Sequence, residues 1–92
     1  MYFVVKQDFI KKEVTPDMMT THVDYVFKLV EKGVVVVSGP FTDDERGGMF
    51  ILEVENEAEA KEIVSNDPAV LSGILKNDIR PYNLSFLKSN NA

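Results

Sequence analysis

The residue of this chain best suited to chemistry is His22, the only histidine in a sequence without cysteine. An imidazole titrates at roughly pH 6.5, so it exchanges protons near neutrality more readily than other side chains. His22 falls in the apolar stripe of a predicted helix, and Asp67 precedes Pro68 where a second predicted helix ends. Because a carboxylate can orient an imidazole for acid/base catalysis, we predict that His22 and Asp67 form a proton-transfer pair beside a partly apolar pocket.

Both residues also have purely structural interpretations. A histidine on an apolar helix face can be a core residue that one backbone or carboxylate contact satisfies. Asp-Pro commonly starts a turn, and the carboxylate of Asp67 can cap that turn. Two more residues are predicted to bind substrate, namely Ser38 at a strand end and Tyr25 about one helical turn from His22. Ser38 also fits an ordinary strand end, and Tyr25 also fits core packing.

The size of the chain predicts one domain and a need for additional burial. Residues 1–87 are expected to form an α+β domain, and residues 88–92 a polar C-terminal tail. A chain of 92 residues buries only about two thirds of the surface that its unfolded form exposes, so further stabilisation is expected. With no cysteine and one histidine, the chain offers neither a disulfide nor a zinc-like ligand cluster. Oligomerisation is the remaining route, and no metal site is predicted.

The charge balance narrows the choice of partners. Ten Lys and Arg against fifteen Asp and Glu give a net charge of −5, which disfavours binding to nucleic acid. The apolar stretch 1–5 lacks a basic segment and is interrupted by Lys6 and Asp8, so neither a signal peptide nor a membrane span is predicted. We therefore expect a cytoplasmic protein that binds neither nucleic acid nor membrane.

Hydrophobic periodicity and turn residues predict four strands and two helices. Thr15-Pro16 and Asn56 with Glu59 are typical helix starts, and Gly33 is a typical helix end. The predicted strands cover 2–7, 34–38, a third segment that begins at Gly47-Gly48, and 74–86, with a possible extra turn at 69–73.

The order β-α-β-β-α-β is the ferredoxin-like arrangement, in which two helices cover one face of a four-stranded antiparallel sheet. The third strand has apolar residues on both faces, including Phe50 and Leu52 on one and Met49 and Ile51 on the other. Because a one-sided sheet would leave the second face polar, we predict a homodimer in which two helix-free faces pack together.

Several short motifs resemble those of the YCII-related family, in the same order along nearly the whole chain. They are His22-Val23-Asp24-Tyr25-Val26, Gly33, Ser38-Gly39-Pro40, Gly47-Gly48, Asp67-Pro68, Gly73 and Arg80-Pro81-Tyr82. The resemblance implies the dimeric α+β barrel fold, which is similar to that of muconolactone isomerases. It also implies that the family's proposed catalytic histidine and aspartate are His22 and Asp67 here, and one relative is a dehydrochlorinase of a chlorinated hydroxyquinol. Many relatives carry an arginine shortly before the histidine, where this chain has Met19, Thr20 and Thr21.

Proton transfer is the chemistry that the residue inventory permits. The sequence has no GxSxG elbow, cysteine nucleophile, P-loop or dinucleotide fingerprint. We therefore expect a cofactor-independent lyase, isomerase or dehydrohalogenase that acts on a small cyclic or aromatic metabolite through His22 and Asp67. The alternative is a non-catalytic module on the same dimeric fold that binds a small ligand or mediates assembly, because a fold does not determine a function.

Overall fold

The computed structural model describes residues 1–10, 13–43 and 47–87, so the predicted tail 88–92 lies outside the described residues. The elements are, in chain order, β1 (Tyr2–Phe9), α1 (Pro16–Glu31), β2 (Val35–Pro40), β3 (Gly47–Glu53), α2 (Glu57–Ser65), α3 (Pro68–Leu71) and β4 (Leu75–Tyr82). The strands form one antiparallel sheet in the order β2-β3-β1-β4. The predicted ferredoxin-like arrangement is thereby confirmed, with the short helix α3 added before β4.

The structure shows side-chain caps at the two predicted helix starts and a left-handed glycine at the predicted end of α1. Thr15 Oγ1 accepts a hydrogen bond from the backbone N–H of Met18 at 3.2 Å, and Asn56 Oδ1 accepts one from that of Glu59 at 2.9 Å. Gly33 follows α1 with a φ of +76°, a left-handed conformation that glycine adopts without steric cost. None of the helices in the described part of the chain is long and apolar enough to cross a membrane.

The hydrophobic core lies between the helices and one face of the sheet. Its buried strand residues are alternate residues of each strand, so their side chains lie on the same face of the sheet. They pack against the apolar sides of α1 and α2. The core includes Phe3 and Val5 of β1, Phe50 and Leu52 of β3, Leu29 of α1, and Ala60 and Val64 of α2. A second, smaller cluster, formed by Ala69, Ile74 and Leu75, joins α3 to the start of β4. The helices therefore cover one face and leave the other uncovered.

The helix-free face carries apolar side chains at its centre. Ile51 of β3 lies opposite Val4 of β1 and Val37 of β2, and Tyr82 lies on the same face at the end of β4. Val37 and Tyr82 are 49% and 48% exposed. Ile51 between them is 7% exposed. Exposed apolar side chains on an uncovered sheet face can contact another protein.

The predicted strand boundaries differ from those observed by one residue at the starts of β2 and β4, and by more at three strand ends. The first strand ends at Phe9, not at Gln7, because Asp8 and Phe9 pair with Lys76 and Leu75 of β4. The last strand ends at Tyr82, not at Phe86, because Tyr82 pairs with Tyr2, the first residue of β1, and no strand residue remains beyond it to bond. The second strand runs on to Pro40, although the sequence predicts its regular part to end at Ser38. β2 is an edge strand, so a proline without an N–H is tolerated there.

Candidate active site

The structure brings His22 and Asp67 into direct contact. His22 Nδ1 lies 2.7 Å from Asp67 Oδ2, so the predicted pair is close enough to share a hydrogen bond. His22 comes from the middle of α1, and Asp67 from the single residue between Asn66, which caps α2, and the start of α3. The side chain of Asp67 is 2% exposed and that of His22 is 12% exposed, so this is a nearly dry ion pair or hydrogen bond, in which charge-assisted interactions are strong.

Both carboxylate oxygens of Asp67 are engaged by the fold. Oδ1 accepts a hydrogen bond from the backbone N–H of Ala69 at 2.9 Å, which caps α3, while Oδ2 contacts His22. The sequence left open whether Asp67 caps a turn or orients His22, and the side chain does both. Because the cap anchors the carboxylate, Asp67 presents Oδ2 to His22 in a fixed direction.

The contact with Asp67 determines which imidazole nitrogen of His22 carries the proton. An ionised carboxylate only accepts hydrogen bonds, so Nδ1 must carry a proton and Nε2 is the basic nitrogen of the neutral ring. Nε2 has no hydrogen-bond partner among the described residues. The ring of Phe9 meets the imidazole edge to face, with centroids 6.2 Å apart and planes inclined by 83°. His22 is therefore held at one nitrogen and available at the other.

His22 borders an apolar cavity of about 400 Å³ between α1 and the open end of the sheet. Its walls are side chains of α1, the outer part of β2 and the start of β3. They include Met19, Val23, Val26, Phe27 and Val30 of α1, Ser38, Gly39 and Pro40 of β2, and Gly47, Gly48 and Met49 of β3. Within the described residues the lining contains no lysine or arginine, so His22 is the one side chain there that can become cationic. Cavities of this volume bind small organic ligands.

Ser38 and Tyr25 differ in how they relate to this cavity. Ser38 pairs with Phe50 on the helix-covered face of the sheet and lines the cavity, in keeping with its predicted position near His22. Tyr25 is not among the described lining residues; its hydroxyl donates to the carbonyl oxygen of Ile63 at 2.6 Å, and its ring packs against the core. Burial, and secondarily the negative charge of Asp67, raises the pKa of Tyr25. These contacts favour the core-packing interpretation of Tyr25.

The cavity contains one polar residue, Gln7, that the sequence analysis did not single out. Gln7 is 5% exposed, and its Nε2 donates to Asn77 Oδ1 at 2.8 Å. The strand alternation places Gln7 on the same face as the buried Phe3 and Val5. The sequence did contain a signal for this part of the site: Gln7 is polar at a position where the alternation of β1 predicts an apolar residue.

Two glycines allow the strands to approach one another beneath the cavity. A Cβ at Gly48 would lie 2.6 Å from the carbonyl oxygen of Gly39, and one at Gly47 would overlap the carbonyl oxygen of Gln7. Gly48 is the partner of Gln7 in β1 and of Pro40 in β2. On the β3 side, therefore, no side chain lies beside the Gln7 amide, which leaves room for a ligand there. No group of three or more metal-ligating side chains occurs among the described residues.

Comparisons with known proteins agree with this fold. One solved structure resembles this chain with a TM-score of 0.76 and 26% identity over 90% of this chain and 94% of its own. It is a 5-chloro-2-hydroxyhydroquinone dehydrochlorinase from Burkholderia phenoliruptrix AC1100 in complex with 2,5-dihydroxybenzoquinone. An antibiotic biosynthesis monooxygenase is similar at a TM-score of 0.56 and 18% identity, over 90% of this chain and 99% of its own, which shows a shared fold alone.

No curated protein sequence shows significant similarity to the chain. The family model of the YCII-related domain, however, matches residues 1–83, which include His22, Asp67 and every strand and helix described above. The chain therefore belongs to the YCII-related domain family.

Proposed function

We propose that this protein is a small cofactor-independent enzyme that transfers protons on a small cyclic or aromatic metabolite. His22 acts as general base and then general acid, and Asp67 is the positioning residue that fixes the protonated nitrogen of the ring. The observation that carries the proposal is the 2.7 Å contact between His22 Nδ1 and the buried Asp67, at the edge of a 400 Å³ apolar cavity. A buried carboxylate that orients an imidazole beside a ligand-sized cavity is typical of acid/base sites.

The chemistry follows from the protonation state of His22. Nε2 removes a proton from a ring hydroxyl or an acidic ring carbon, and the electron pair of that bond moves into the ring. In an isomerisation, the imidazolium returns the proton to another carbon; in an elimination, a halide leaves with its bonding pair and His22 releases the proton to water. Asp67 stabilises the imidazolium that forms in either case.

The comparison with the dehydrochlorinase supports this choice of reaction class. That neighbour shares 26% identity over 90% of this chain, and its complex contains a small oxygenated ring compound. The apolar walls here suit a planar ring, and the lack of lysine and arginine in the described lining favours a neutral substrate. Met19, about one helical turn before His22, lines the cavity with an apolar side chain.

We further propose that the protein is a homodimer formed by its helix-free sheet face. The apolar centre of that face, around Ile51, Val4 and Val37, supports this association, since two such faces can bury one another. The cavity lies on the helix-covered side, so each subunit would retain its own site.

Deuterium incorporation tests the function before the substrate is known. The protein is incubated in D₂O with a panel of hydroxylated and halogenated ring compounds, and carbon-bound deuterium and released halide are measured by NMR and ion chromatography. We expect exchange or halide release with at least one compound, and its loss in Asp67→Asn and His22→Gln. Asp24→Asn is the matched control, because Asp24 is exposed on α1. Binding without exchange, or exchange that persists in both site variants, would favour the non-catalytic ligand-binding alternative.

A further inference from the structure

Gln7 and Asp67 are the two buried polar or charged residues of the described chain. Burying a polar side chain is costly unless its hydrogen-bonding groups are satisfied. Asp67 meets this requirement with both oxygens, through Ala69 and His22. Gln7 meets it only in part, because the described residues provide one partner, Asn77, for its amide nitrogen.

The unsatisfied atom of Gln7 is its carbonyl oxygen, Oε1. It accepts no hydrogen bond from the described residues, yet no fully buried side-chain nitrogen or oxygen among them lacks a partner. Oε1 therefore retains accessible surface, and Gln7 lines the cavity that His22 borders. The bond from Nε2 to Asn77 Oδ1 fixes the plane of the amide and so the direction in which Oε1 points.

The neighbouring residues leave this oxygen open to a ligand. Gln7 is flanked in the sheet by Gly48 and Asn77, and Gly48 has no side chain to cover it. An apolar ligand in the cavity would bury Oε1 without a donor, which is unfavourable. A carboxylate would place a second acceptor against it, with no lysine or arginine in the described lining to compensate. A neutral group that donates a hydrogen bond satisfies the oxygen.

We infer, resting on the proposed function, that Gln7 is the specificity-determining residue of the His22 site and that its Oε1 accepts a hydrogen bond from a ring hydroxyl. The substrate class is then a neutral hydroxylated ring, bound with its plane between the α1 side chains and Gly48. Asn77 is a positioning residue, since it acts on the ligand only by holding the Gln7 amide.

The test is a binding cycle that needs no turnover. Hydroquinone and its dimethyl ether are titrated against the parent protein and Gln7→Leu, with affinities measured by NMR. The parent should prefer hydroquinone by roughly tenfold, because methylation removes the hydroxyl proton and leaves Oε1 unpaired. Gln7→Leu should bind the two compounds within about twofold of each other, and Asn77→Ala should show an intermediate preference. An equal preference in the parent and Gln7→Leu would overturn the inference.

A second measurement does not depend on the folding of any variant. The side-chain amide resonances of Gln7 in the parent should shift on addition of hydroquinone and much less on addition of the ether. Unmoved Gln7 resonances, when the His22 ring resonances shift with hydroquinone, would contradict the inference. Failure of the proposed function looks different: no compound would show deuterium exchange, although the hydroxyl preference and its dependence on Gln7 would remain.

Discussion

Replacing Asp67 with alanine removes two hydrogen bonds that the fold places on one buried side chain. Loss of the cap on the backbone N–H of Ala69 costs about 1 kcal/mol of unfolding free energy. Loss of Oδ2 leaves the Nδ1–H of His22, whose side chain is 12% exposed, without an acceptor. The further cost is about 1 to 3 kcal/mol of unfolding free energy. We therefore expect Asp67→Ala to lose about 2 to 4 kcal/mol, which lowers the Tm of a domain this size by about 10 °C or more.

Asparagine at the same position separates stability from chemistry. Its amide oxygen can still cap α3, and its amide nitrogen donates to Nδ1 of His22, which must then be unprotonated. The ring is driven into the other tautomer, with the proton on Nε2, so it no longer offers a base to the cavity. We expect Asp67→Asn to cost about 1 kcal/mol. Turnover should fall steeply; in a well-studied hydrolase triad the same change costs about ten-thousandfold.

Thermal melts followed by circular dichroism, together with the exchange assay, measure both effects. Asp24→Ala and Asp24→Asn serve as controls for loss of an exposed carboxylate on α1. An Asp67→Ala protein that melts within about 3 °C of the parent would refute the double role assigned to Asp67. An Asp67→Asn protein with parental turnover would refute the tautomer argument even if the stabilities agree.

Three further outcomes follow from other contacts. Gly48→Ala should lower the Tm clearly, because its Cβ would lie 2.6 Å from a backbone oxygen. Gly39→Ala is the control, because a Cβ there meets nothing within 4 Å, and equal Tm values for the two variants would contradict the prediction. Because the pKa of Tyr25 is raised by burial, its phenol stabilises the fold up to about pH 10, and above that pH the unfolded chain ionises first. Urea titrations should therefore show Tyr25→Phe less stable than the parent at pH 8, with a gap that shrinks above pH 10; a gap that widens there would be the contrary result. The parent should sediment at about twice its 10.4 kDa mass, and Val37→Glu, at a position 49% exposed, should shift it toward the monomer; a monomeric parent would rule out the dimer.

The sequence predicts features that depend on adjacent residues better than features that depend on contacts between distant parts of the chain. Thr15, Asn56 and Gly33 mark helix ends correctly because capping depends on a few adjacent residues. The end of β4 at Tyr82 was missed because strand length depends on the partner strand, and β1 supplies no residue beyond Tyr2.

The candidate site was likewise predicted in part: its main residues follow from the sequence, and their contacts follow only from the fold. The motifs of the family indicate His22 and Asp67, but they do not reveal that Asp67 is 2% exposed and also caps α3. From the sequence alone, His22→Ala is expected to be well tolerated in a catalytic site. The structure leads to a different prediction, a loss of stability, because truncation would leave a buried carboxylate oxygen without its partner, whatever the role of His22. Gln7 was missed because only the folded sheet shows which space lies above it.

The central claim is that Asp67 holds the proton of His22 on Nδ1 and leaves Nε2 as the base at the cavity. Nitrogen-15 NMR of labelled histidine measures this directly, and assignment is unambiguous because the chain has a single histidine. In the neutral ring, we expect the Nδ1–H tautomer in the parent and the Nε2–H tautomer in Asp67→Asn. A parent ring that carries its proton on Nε2, or a tautomer that does not change in Asp67→Asn, would contradict the claim.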